Sequence, residues 1–120
     1  MKALQVVGLA AVVAALVLVG WVRADDAAET VTVKGEVVDM ACYLDHGAHG
    51  EKHAACAKKC IESGLPVGLK GEDGKTYLLI GEHKPLNSEL AEFAGKTITM
   101  KGKVATRDGV NLLENAEIVK

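Results

Sequence analysis

Thr30-Val31-Thr32-Val33-Lys34-Gly35-Glu36-Val37-Val38 alternates β-branched and polar side chains, and Thr97-Ile98-Thr99-Met100-Lys101-Gly102-Lys103-Val104 repeats the pattern late in the chain. Period-two alternation gives a strand one buried and one solvated face. Glycine stands at the same place in both copies, where it relieves a bulge or a sharp coil in a long strand. Small closed barrels need such coiling. The copies are too short and too widely spaced for a solenoid, so they read as two equivalent strands of one sheet.

Two further strands are predicted between them, Pro66 to Lys70 and Lys75 to Ile80, joined by Gly71-Glu72-Asp73-Gly74 with its Asp-Gly hairpin signal. A short helix follows over Asn87 to Ala94, with Asn87 or Ser88 as N-cap, Glu89 in the first turn and Gly95 as C-cap. The last hairpin turns at Asp108-Gly109 and ends with Val110 to Val119. This order predicts a mainly β domain over residues 30–120. It is a five-stranded OB-like barrel with a Cys/His-rich helical insert after the first strand and a short helix between the third and fourth. Aromatic residues are scarce, so Val, Leu, Ile and Ala must build the core.

The insert carries the chemistry. Cys42, His46, His49, His53, Cys56 and Cys60 include every cysteine of the chain and three of its four histidines. Thiolate and imidazole bind soft and borderline transition metals. Ala54, Ala55, Ala57, Lys58 and Lys59 favour a helix that Gly64 ends, whereas Gly47 and Gly50 make the first half of the insert read as loop. Cys56 and Cys60 lie one helical turn apart, so both sulfurs reach one ion. His53 joins them only if the helix begins after it. The expected ligands are Cys42, Cys56 and Cys60 with His53, or with His46 or His49 from the loop, a set that suits Zn(II) or Cu(I).

A disulfide competes for the same thiols. In an oxidising compartment Cys42 pairs with Cys56 or Cys60, closing a loop worth about 3 kcal/mol and leaving one thiol over. Thiol redox chemistry is a third reading. The chain has neither Cys-x-x-Cys nor Cys-x-x-Cys-His, and Asp39, Asp45 and Glu51 fall in no hydrolytic constellation, so a non-enzymatic role is expected. His83 reads as a solvated loop residue, Lys58 and Lys59 as solvent-facing, and Tyr43 and Tyr77 as core or rim packing.

Ahead of the domain, Lys2 precedes an apolar run from Val6 to Val22, which ends in Val22-Arg23-Ala24 before Asp25 and Asp26. This is the form of a secretory signal, predicting cleavage after Ala24, a flexible lead-in over 25–29 and a periplasmic or secreted domain. The run also reaches the lower limit for a single membrane anchor, the alternative if residues 1–24 stay attached. Losing residues 1–24 removes Lys2 and Arg23 and no acid, which takes the formal charge from −2 to about −4. Nucleic acid is then an unsuitable partner, because phosphate binding needs a basic stripe. The partners expected are a metal ion, a protein of the cell envelope, or both.

Gly35-Glu36-Val37-Val38-Asp39-Met40-Ala41-Cys42, His53-Ala54-Ala55-Cys56-Ala57-Lys58-Lys59-Cys60-Ile61 with Gly64, Asp73-Gly74-Lys75-Thr76-Tyr77, and Ala94-Gly95-Lys96-Thr97-Ile98-Thr99-Met100-Lys101-Gly102 together resemble a family of small exported bacterial proteins with an OB-like barrel. The resemblance spans nearly all of the domain and implies that fold and export. His46 and His49 lie outside the resembling pattern.

Overall fold

A computed structural model describes residues 30–120. The expected signal segment and lead-in lie outside the described residues. β1 (Thr30–Asp39), β2 (Val67–Gly71), β3 (Thr76–Leu79), β4 (Thr97–Arg107) and β5 (Val110–Ile118) close into a barrel in the order β1-β2-β3-β5-β4. The strands that open and repeat the sequence pattern are neighbours, antiparallel from Thr30↔Lys103 to Glu36↔Thr97. The other edge of β1 pairs with β2 from Gly35↔Gly71 to Asp39↔Val67. A parallel pairing of β3 with β5, Tyr77↔Asn111 to Leu79↔Leu113, completes the closure.

Both expected strand glycines have a steric reason. β2 passes so close to β1 that a Cβ at Gly35 would overlap the carbonyl oxygen of Lys70. In β4 the register against β5 shifts between Lys101 and Lys103, the position of Gly102, where a Cβ would lie 2.7 Å from Glu114 O. The inward faces of the strands supply Val33, Val37, Leu69, Tyr77, Leu79, Met100 and Leu113 to an aliphatic core. Tyr77 is the aromatic exception, and its buried hydroxyl donates to Asp73 Oδ2 at 2.6 Å.

Between β1 and β2 stand two helices, α1 (Met40–His46) and α2 (Ala54–Glu62), linked through a 3₁₀ turn at Glu51–His53. The loop expected for the first half of the insert is therefore corrected in part: Met40–His46 is helix, and residues 47–50, with both glycines, are not. Asp39 caps its start and Gly47, at φ 71°, ends it in the left-handed conformation. The glycines bound the helix instead of preventing it. After β3, α3 (Asn87–Leu90) and a 3₁₀ turn at Ala91–Phe93 take the place of the single helix expected over 87–94. Leu86, without a side-chain cap bond, precedes α3. Asn87 Nδ2 instead donates to Ile61 O (2.8 Å) and Leu65 O (2.7 Å), tying α3 to the end of α2. Ala57 and Ile61 from α2 join Leu86, Leu90, Ala91 and Ala94 in the core, so both helices pack into the same cluster as the strands. Among the described residues no helix is long and apolar enough to cross a membrane.

Candidate metal centre

The insert leaves β1 at Asp39, whose side chain is fully buried. Its neighbour Met40 hands its N–H to Pro66 O at 2.9 Å, fixing the corner where strand becomes helix. Asp39 Oδ1 accepts the Cys42 N–H at 3.0 Å, the N-cap bond of α1, and this places the Cys42 side chain back over the carboxylate. Cys60 approaches from α2. Ala57 and Ile61, both buried, hold that helix against the barrel, and Cys56 and Cys60 occupy the adjoining face one residue earlier at the same four-residue spacing.

The result is a group of three donors. One ligand atom each from Asp39, Cys42 and Cys60 lie within 4.8 Å of one another, a separation that a single ion bridges. All three cysteines are free. Cys42 and Cys60 are half-buried, whereas Cys56 is exposed at the outer edge. It stands one helical turn before Cys60 on α2.

α2 begins at Ala54, so His53 precedes it, the condition on which its approach to the thiols depended. His53 Nε2 lies 3.3 Å from Asp39 Oδ2, with the ring mostly buried. A carboxylate accepts, so in this contact the ring donates from Nε2. His46 and His49 turn elsewhere. His46 Nδ1 sits 3.2 Å from Asp45 Oδ2 in solvent, and His49 Nδ1 bonds Gly47 O at 2.8 Å with its ring edge-on to Tyr43. Lys58 forms ion pairs with Glu62 (3.4 Å) and Glu92 (3.3 Å).

The electrostatics follow from this geometry. Burial pushes the Asp39 carboxyl up, but hydrogen bonds from the Cys42 N–H and thiol, joined by His53, outweigh it and hold the group below its ordinary range. The thiol–carboxylate bond to Asp39, with partial burial, pushes Cys42 up to about 11. Burial and the Asp39 charge likewise raise Cys60. Without a cation the buried anion keeps its thiol neighbours protonated. A cation reverses the balance, since it attracts the carboxylate and displaces the thiol protons.

Asp39 is the member of the group that ligand spacing among Cys and His did not single out. The signal was present as an aspartate three residues before Cys42, since a helix cap accepts from the backbone three residues on. No family, curated relative or solved structure matches the chain in the comparisons made.

Proposed function

We propose that this is an exported, non-enzymatic binding domain that holds one transition-metal ion, Zn(II) or Cu(I), at the junction of β1, α1 and α2. Cys42 and Cys60 are its central thiolates, Asp39 adjoins them with His53 behind it, and exposed Cys56, one turn before Cys60 on α2, offers a further sulfur. The observation that carries this reading is the convergence of Asp39, Cys42 and Cys60 to within 4.8 Å. A thiol pair beside a fully buried carboxylate is an arrangement that a cation resolves, because each thiol then sheds the proton the anion holds on it. Such a domain would sequester or carry the ion in the envelope and pass it to a protein partner there.

The competing reading is a disulfide-stapled interaction domain, a subunit of an envelope complex, in which Cys42 and Cys60 spend their proximity on a covalent bond. Metal content and thiol count separate the two, measured on untagged native protein with and without reductant. One ion per chain, with all three thiols titrating after its removal, supports the binding domain. A native disulfide in protein that takes up neither Zn(II) nor Cu(I) even when reduced would overturn it.

A further inference from the structure

We propose that Asp39 is itself a metal ligand and that its charge makes the site select a divalent borderline ion, Zn(II) in preference to Cu(I). This rests on the metal-binding reading above and deepens it.

Capping alone does not account for an aspartate here. Asn or Ser caps a helix about as well as Asp, and neither carries a charge into the protein interior. At Asp39 the carboxylate is fully buried, and the basic side chain against it among the described residues is the imidazole of His53, at 3.3 Å. Burying an ion costs several kcal/mol unless it is paired. A carboxylate in that place, with two thiols inside 4.8 Å, is arranged for a cation to arrive.

The charge count then chooses the cation. Asp39, Cys42 and Cys60 as metal ligands are three anions. A dication leaves the set at −1 and a monocation leaves it at −2, and in a half-buried site the extra charge is poorly screened. Donor chemistry points the same way. Zn(II) accepts carboxylate oxygen beside sulfur and nitrogen in a tetrahedral shell, whereas Cu(I) prefers soft sulfur alone. With its Nε2 proton directed at Oδ2, His53 orients the carboxylate from behind and leaves oxygen lone pairs for the ion.

The test compares Zn(II) and Cu(I) affinities of reduced, full-length mature protein and its Asp39→Asn variant, each by competition with a chromogenic chelator. Asparagine keeps the cap oxygen and removes the charge together with the acceptor that Oδ2 offers His53, so thermal unfolding of the metal-free variant checks its fold. Zn(II) affinity is expected to fall about 100-fold, the upper range for a partner one shell further out, while Cu(I) affinity changes by less than about 3-fold. Equal losses for both ions, or unchanged Zn(II) binding, would overturn the assignment. If Asp39→Asn does not fold, infrared difference spectra of the wild type with and without Zn(II) decide the point. A shifted carboxylate stretch supports ligation by Asp39, and an unshifted one refutes it. A wild type that binds neither ion refutes the metal site as a whole, a result distinct from a wild type that binds both and shows no dependence on Asp39.

Discussion

In the metal-free protein Cys42 should be a slow thiol, and the degree of slowness follows from its contact with Asp39. The hydrogen bond to that carboxylate, with partial burial, moves its pKa from an ordinary 9.0 to about 11. At pH 8 that shift leaves about 100-fold less thiolate than an unperturbed cysteine has. Part of the loss returns as nucleophilicity, because a more basic thiolate attacks faster with a Brønsted slope of about 0.4–0.5, or roughly 6- to 10-fold over this interval. Cys42 should therefore react with an aromatic disulfide reagent about 10-fold more slowly than an unstructured cysteine peptide. The assay uses chelator-treated Cys56→Ser/Cys60→Ser protein, in which no neighbouring thiol can resolve the mixed disulfide. Asp39→Asn in that background removes the leading cause and should restore most of the rate. The folded pKa lies above the unfolded one, so the stability contributed by the protonated thiol is present below pH 9 and is lost between pH 9 and about 11. Reaction within about 2-fold of the peptide, or no acceleration by Asp39→Asn, would refute the placement of the carboxylate against this thiol.

Other substitutions separate the scaffold from the site. Ile61 is fully buried in the face that seats α2, so Ile61→Ala should cost about 2–5 kcal/mol in urea unfolding and weaken metal binding by releasing Cys60. Gly35→Ala sets a methyl group against the Lys70 carbonyl, a backbone atom with little room to yield, and should cost about 1–3 kcal/mol or more. Gly47→Ala meets open space and pays only for its left-handed φ of 71°, about 1 kcal/mol; equal losses at the two glycines would contradict this distinction. On the acid side, the depressed Asp39 contributes stability above its ordinary pKa of 3.8 that is lost as pH falls through the lower folded value. Acid unfolding of Asp39→Asn should show a flatter pH dependence there.

The barrel was legible because each strand carries its own evidence. Period-two alternation marks β1 and β4, and the glycines at positions 35 and 102 mark where neighbouring backbones come too close for a side chain. The insert was less legible because intervals of 4, 3, 4, 3 and 4 between its Cys and His residues imitate one helix face. That spacing is divided between two helices, with Gly47 reversing the chain after α1, so His46 and His49 point away while Cys42 and Cys60 meet. Capping decided this outcome. A local bond from Asp39 to Cys42 N–H starts α1 at Met40, and a reading based on glycine content alone weighs helix breakers without weighing where a helix can begin. The side chains of Asn87 and Asp39 share a second lesson, since each serves groups far along the chain that no local pattern names.

The position of the donor group also fixes how an ion would act on the domain. In a zinc finger the metal substitutes for a core, and the apo chain is unfolded. Here the core residues come from the strands and the inner faces of α2 and α3, and neither Cys42 nor Cys60 belongs to it. The barrel closes through five strand pairings that do not involve the thiols. An ion joining Cys42 to Cys60 would therefore cross-link the insert without creating the fold, and a covalent cross-link closing a loop of this length gives roughly 3 kcal/mol in the chain-entropy model. At 100 times its dissociation constant the ion stabilises the native state by about 2.7 kcal/mol through mass action alone. Both magnitudes are modest beside the 5–15 kcal/mol of an ordinary domain. If the domain binds an ion as proposed, loading and release would proceed on a folded protein, with Cys56 the most exposed of the three thiols. That separation of fold from ligand is what a reversible carrier requires and what a purely structural metal site lacks.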